Sequence, residues 1–107
     1  MNSDPNDPVV LSGKEKYREG AKKFIKNFLG LNNICVVEAD YAISNPGIIE
    51  RLEWEHRQGK NIIVVGGNRK ERDFTEIISQ ASDFFRKERV FWSKNLLSIK
   101  ELKLSPV

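Results

Sequence analysis

The stretch Asn61-Ile62-Ile63-Val64-Val65-Gly66-Gly67-Asn68 decides how this chain folds. Ile62 to Val65 are β-branched and apolar with no polar alternation, the pattern of a strand covered on both faces. This run is therefore expected to be the central strand. The two glycines after it permit positive φ and close backbone approach, and a cationic amphipathic pattern follows. In an open α/β sheet, ligands bind outside the carboxyl ends of strands. The stretch thus fixes both the middle of the fold and the place to look for a site.

Working outward, Ile34–Ala39 reads as a neighbouring strand. Between the two runs, Asn45 and Pro46 give a helix start, with Ile48, Ile49 and Leu52 inward and Gly59 at the end of a helix over Pro46–Gln58. A helical connection between two such strands predicts a right-handed βαβ unit with parallel strands. Upstream, Tyr17, Ala21, Phe24, Ile25, Phe28 and Leu29 follow the spacing of one helical face, closed by Gly30. Val9–Leu11 fits a short strand before that helix. Downstream, Asp73-x-x-Glu76 resembles a capping box, and Phe74, Ile77, Ile78, Ala81, Phe84 and Phe85 form the strongest apolar stripe. Val90–Trp92 reads as a further strand, and Ser93 as the cap of a terminal helix over Lys94–Lys103.

The expected fold is α/β: a three-layer α/β/α domain, small, with a short and mostly parallel sheet of three to four strands, flavodoxin-like or Rossmann-like. Residues 1–8, with two Asp-Pro pairs, read as a flexible leader, and residues 9–107 as a single domain.

Composition narrows the function classes. Of 107 residues, 39% are hydrophobic and 31% charged, which supports a real core in one domain. No run approaches the roughly 18 apolar residues of a membrane span, and no secretory signal starts the chain, so the expected location is cytoplasmic. The lone Cys35 cannot form an internal disulfide and, with only His56 beside it, no Cys/His metal set can be built. No cofactor is expected. The net charge of +3 favours an anionic partner.

Three constellations carry chemistry. Gly66, Gly67, Asn68, Arg69 and Lys70 form a strand-to-helix turn that can point amides and cations at a phosphate, although the segment is neither a Walker loop nor a dinucleotide fingerprint. It equally fits a tight connection with solvated charges. Lys14, Arg18, Lys22 and Lys26 lie four residues apart on the first helix and can follow a phosphate backbone, with Glu15 and Glu19 interleaved. No outward aromatic pair is evident as a base-stacking platform. The acidic group comprises Glu38 and Asp40 at a strand end with Glu50, Glu53, Glu55 and His56 on the next helix; a carboxylate there can act as base or nucleophile. The alternative for these is a surface ion-pair face involving Arg51, Arg57 and Lys60. His56 reads as a packed structural residue, and Cys35 as a small buried hydrophobe.

Two resemblances follow from quoted segments. The element order, the segment Ile34-Cys35-Val36-Val37-Glu38-Ala39-Asp40 and the later Val64-Val65-Gly66-Gly67-Asn68 resemble the small kink-turn-binding ribosomal proteins, which implies an RNA surface near Gly20 and Lys26. The segment Glu50-Arg51-Leu52-Glu53-Trp54-Glu55-His56-Arg57-Gln58-Gly59-Lys60-Asn61-Ile62-Ile63 is similar to TIR-like domains, which implies NAD cleavage by Glu50 or Glu53.

The leading expectation is a small non-enzymatic module binding a phosphate-bearing ligand, RNA ahead of free nucleotide, through Gly66–Lys70 together with Lys22 and Lys26. The alternatives are a nucleotide- or NAD-cleaving enzyme using Glu38, Asp40, Glu50 and Glu53, and a regulatory protein-interaction domain. No membrane partner is expected. Edge-strand pairing in a homodimer is one way for so small a sheet to complete itself.

Overall fold

The computed structural model describes residues 7–30, 33–79 and 83–104. Four strands, β1 (Val9–Leu11), β2 (Ile34–Glu38), β3 (Asn61–Val65) and β4 (Val90–Ser93), form an all-parallel sheet in the order β1-β2-β3-β4. Asn61–Val65 is buried along its whole length, as its unbroken apolar run requires. The connections are α1 (Glu15–Phe24), α2 (Ala39–Ser44), α3 (Ile48–Arg57) and α4 (Glu71–Ser79). Helices cover both faces, so the three-layer α/β/α reading holds.

The strand pleat divides the core. Cys35, Val37, Ile62 and Val64 face α2, α3 and α4 through Ala42, Leu52, Phe74 and Ile78. Val10, Val36 and Ile63 face the other way, onto Ala21 of α1, onto Ile25 just beyond its end and onto Ile99. Every crossover steps in the same direction across the sheet, yet α1 lies on one face and the others on the opposite face. The β1–α1–β2 unit therefore has the opposite hand to the two that follow, and at least one crossover departs from the right-handed rule. The strand order also runs in chain order, without the reversal that makes the crevice of doubly wound sheets.

Several local expectations change for identifiable reasons. After Phe24 the first helix widens into one π-helical turn, Ile25–Leu29, before Gly30. An i→i+5 turn shifts the phase of the following residues. Phe28, expected inward, is consequently 78% exposed and stacks on Phe24 with centroids 5.5 Å apart. Asn45 does not cap α3: its side-chain amide donates to the Tyr41 carbonyl and closes α2, a helix absent from the sequence reading, while Gly47 precedes α3. Asp73 lies in the first turn of α4 rather than at its cap. Ile77 is exposed, and Ala81 lies outside the described residues. The expected terminal helix is a 3₁₀ turn, Leu97–Glu101, whose start is capped by Asn95 rather than Ser93, through Asn95 Oδ1 accepting from the Ser98 amide at 2.9 Å.

Arg89 holds an unanticipated position. Its φ of 62° is in the left-handed region, which costs a side-chain-bearing residue about 1 kcal/mol. In return its guanidinium donates to the carbonyls of Lys60 at 2.8 Å and His56 at 3.2 Å, tying the end of α3 to the approach of β4. Arg89→Ala keeps the strain and loses both bonds, so it is expected to lower stability by about 2 kcal/mol. Arg89→Gly, which relieves the strain, is expected to lose less. Urea unfolding midpoints of the two variants test the ranking.

Candidate functional site

The direction in which the chain leaves each strand creates the site. After β1 it turns toward the face of α1, after β2 and β3 toward the opposite face, and after β4 back to the α1 face, where Leu96 and Ile99 pack. Loops that diverge to opposite faces leave a crevice between them at the carboxyl edge, the same physical cause as in doubly wound sheets although no strand order reverses here. The result is a cleft of about 510 Å³ drawing residues from the ends of all the strands.

From the β1 side come Lys14 and Tyr17, from β2 Glu38 and Asp40, from β3 Gly66, Gly67 and Asn68, and from β4 Lys94 and Asn95. The cleft volume falls in the range of small-ligand sites, a few hundred to a thousand Å³. Lys14 occupies the N-cap of α1 without a side-chain cap bond of its own, and its backbone amide donates to Ser12 Oγ at 3.1 Å. A helix start favours an anion. Among the described residues neither Lys14 nor Lys94 has an ion-pair partner.

Glu38 is half-buried and accepts a hydrogen bond from the buried Ser12 hydroxyl, while Arg18 donates to the Ser12 carbonyl at 2.6 Å. Asp40 pairs with Arg69 Nε. That pairing answers one expectation directly, because the candidate phosphate ligand Arg69 and the candidate catalytic Asp40 are turned to each other. The remaining carboxylate of the cleft, Glu38, lines it together with Lys14 and Lys94.

Tyr17 is the least expected member. Its hydroxyl is buried and has no hydrogen-bond partner among the described residues, an arrangement that costs about 1–3 kcal/mol unless something supplies a partner. Burial first and the neighbouring Glu38 charge second push its pKa up to about 12. The neutral phenol is thus favoured in the folded state. Its contribution to stability is complete below pH 10, the unfolded value, and is lost as pH rises toward 12. Tyr17→Phe removes the orphan hydroxyl and is expected to raise stability by about 1 kcal/mol. It should also delete a phenolate transition near pH 12 in an absorbance titration at 295 nm.

The glycine turn works differently from its sequence reading. The Gly66 amide donates to the Ser93 carbonyl at 2.8 Å and the Gly67 amide to the Lys94 carbonyl at 2.9 Å, extending the β3–β4 ladder beyond the strands. Both amides are committed to the sheet, and the turn presents Asn68 to the cleft. Gly67, at φ 63°, makes the sharp exit. Lys70 is exposed at the start of α4 and does not line the cleft.

Other candidates lie elsewhere. α1 runs from the carboxyl edge, at Lys14, to the amino edge, where Lys26 pairs with Asp7 at 3.2 Å. At about 1.5 Å per residue, Lys26 is on the order of 18 Å from Lys14. Lys22 and Lys26 are therefore not brought together with Gly66–Lys70. Glu50 and Glu53 are on α3, outside the cleft lining. His56 donates from Nε2 to the Glu88 carbonyl at 2.7 Å and meets the edge of Phe84, a structural role. Cys35 is fully buried, and burial followed by the Glu55 charge pushes its thiol up to about 12, so it stays protonated and inert. Among the described residues no cluster of His, Cys, Asp and Glu has metal-binding geometry, and no helix is long and apolar enough to cross a membrane.

No protein family, curated protein or solved structure matches this chain. The functional reading accordingly rests on the geometry of the chain itself. Sequence reasoning found Glu38, Asp40 and the glycine turn, but missed Lys14, Tyr17, Lys94 and Asn95 as one constellation. Ser12-Gly13-Lys14, directly after a strand and before a helix, was the available signal.

Proposed function

We propose that the carboxyl-edge cleft binds a small phosphate-bearing ligand of the nucleotide class without transforming it. The observation that carries this reading is Tyr17, which lines the same cleft as Lys14 and Lys94 and whose buried hydroxyl has no hydrogen-bond partner among the described residues, where the two lysines also lack an ion pair. In this reading the phosphate lies against the first turn of α1 with Lys14 and Lys94 as its cations. Glu38, at the end of β2, accepts from ligand hydroxyls, and Tyr17 donates. The cleft's size and its carboxylates favour a compact ligand bearing both phosphate and hydroxyls over a continuous polyanion. The cleavage alternative has less support, since Glu50 and Glu53 are outside the cleft and Asp40 is neutralised by Arg69.

Calorimetric titration with purine mononucleotides and inorganic phosphate tests the proposal. Lys14→Glu combined with Lys94→Glu is expected to weaken nucleotide binding at least about 30-fold, roughly 2 kcal/mol. Tyr17→Phe is expected to weaken it while making the free protein more stable. Unchanged affinity in the lysine variant would overturn the assignment.

A second reading, RNA binding along α1, draws on the outward Phe24–Phe28 pair beside Lys22, Lys23 and Lys26. Stacked aromatics flanked by cations suit single-stranded bases and phosphates. Phe28→Ala with Lys23→Glu would then abolish RNA retention and leave mononucleotide binding intact.

A further inference from the structure

The sheet has an unfinished side. β1 pairs with β2 on one flank only, and outside that ladder no hydrogen bond among the described residues engages the backbone of Val9–Leu11. An open row of strand N–H and C=O groups is a template for another strand. The edge forms the floor of a groove of about 860 Å³ walled by α1 on one face of the sheet and α3 on the other. This recess selects the occupant. Layers packed on a sheet lie about 10 Å from it and neighbouring strands about 4.8 Å apart, so the space between the walls accepts one strand in the plane of the sheet. The edge of another folded sheet brings covering layers of its own and is shut out, whereas a single extended segment enters.

The walls dictate the side chains of that segment. On α1, Arg18 and Lys22 each follow a residue of the sheet-facing side, Tyr17 and Ala21, and so flank the groove floor. Glu15 and Glu19 also line the groove but lie about 60° further round the helix, away from the floor. Neither Arg18 nor Lys22 has an ion-pair partner among the described residues, and as a like-charge pair at i,i+4 they repel each other until an anion lies against them. On α3, Glu55 is the shared carboxylate of both Arg51 and Lys60, which leaves that wall a cation in excess, and the half-exposed Trp54 stands on the same wall. Asp7, at the amino end of the floor, is already paired with Lys26. The inner lining is therefore cationic, with an aromatic surface on the α3 side. Successive side chains of an added strand point to opposite faces, so every second one meets α1 and the others meet α3. Side chains two apart on a strand are separated by about 6.6 Å, and Arg18 and Lys22, four apart on the helix, by about 6 Å. Acids at two alternate positions thus match the two cations, with an apolar residue between them facing Trp54, the residue type that anchors protein interfaces.

We propose that the outer edge of β1 is a docking groove for an extended peptide of a partner protein, with an acid-apolar-acid pattern, which adds to the sheet as a further strand beside β1. Its main chain completes the open ladder, its acids pair with Arg18 and Lys22, and its apolar residue covers Trp54. The nucleotide reading is independent, because the cleft opens at the carboxyl edge of the sheet.

Fluorescence anisotropy of a labelled peptide of alternating glutamate and valine tests the proposal, with amide ¹H–¹⁵N spectra to locate the contact. The native chain should bind the peptide saturably with shifts at Val9–Leu11, and Arg18→Glu combined with Lys22→Glu should weaken binding roughly 30-fold. That variant should instead take the matching lysine–valine peptide, which also shows that it is folded. Trp54→Ala should weaken the native interaction roughly 10-fold. Of two glutamate–valine peptides N-methylated on one or the other set of alternate amides, the one deprived of its inward N–H groups should fail to bind and the other should bind. No binding at millimolar peptide, or equal binding by both methylated peptides, overturns the proposal. So does a shift of the Val9–Leu11 amides produced by an RNA oligonucleotide, or by concentrating the protein alone, in place of the peptide.

Discussion

Gly66→Ala is expected to destabilise the domain by about 3 kcal/mol, at the upper end of the cost of overpacking a core. A methyl group at Gly66 would overlap the Trp92 ring, reaching Cη2 at 2.6 Å, and would meet the Arg69 carbonyl oxygen at 2.9 Å. Trp92 is not free to yield without cost, since its ring packs against Phe74, centroids 5.5 Å apart, and Phe74 is among the largest buried side chains. The carbonyl on the other side is backbone, held by the turn in which Arg69 N–H donates to Gly66 O at 3.1 Å. Gly67→Ala is the internal control: its surroundings are open, so only the φ of 63° opposes the substitution, at about 1 kcal/mol. Urea unfolding of both variants measures the difference. Adding Trp92→Leu to Gly66→Ala should recover part of the loss, and equal costs at Gly66 and Gly67 would rule out the steric account.

The other large effect is at Glu55, where Glu55→Ala should cost about 3–5 kcal/mol, the range for breaking a buried ion pair by removing one partner. Glu55 is 1% exposed, accepts from Lys60 Nζ at 2.9 Å and from Arg51 Nε at 2.7 Å. Lys60 is itself buried, so the alanine variant leaves an ammonium in the interior without its counter-charge, whereas Arg51 reaches solvent. Replacing both members, Glu55→Leu with Lys60→Met, removes the desolvation cost together with the attraction and should restore most of the stability. Thermal and urea unfolding distinguish this from a surface pair, for which the single substitution would cost no more than about 1 kcal/mol.

These residues show where sequence reasoning reached and where it stopped. Ile62–Val65 could be recognised because a strand buried on both faces has only apolar residues to use, and its neighbours followed from the same pattern. The apolar period of α1 was legible as far as Ile25, but nothing in Lys26-Asn27-Phe28-Leu29 announces a π-helical turn, so Phe28 was placed on the wrong face. Glu55 sits among residues of a charged helix and looks like every other surface glutamate; only the packing of Lys60 at the start of β3 buries it. Arg89 in a left-handed conformation, and Trp92 lying against Gly66, are long-range facts with no local signature. For the site, the position at the carboxyl edge was readable from the strand-glycine-glycine turn. Its membership was not, because Lys14, Tyr17 and Lys94 are separated along the chain and meet only through the direction in which each loop leaves the sheet. The two basic features that seemed to form one surface are instead at opposite ends of α1.

The most direct test of the cleft as a nucleotide-class site is a backbone amide ¹H–¹⁵N titration of the protein with a purine mononucleotide. Saturable shifts are expected at Lys14, Tyr17, Asn68, Lys94 and Asn95, and they should disappear in the Lys14→Glu, Lys94→Glu variant. Shifts confined to Lys22–Phe28, or none at the cleft at millimolar ligand, would contradict it.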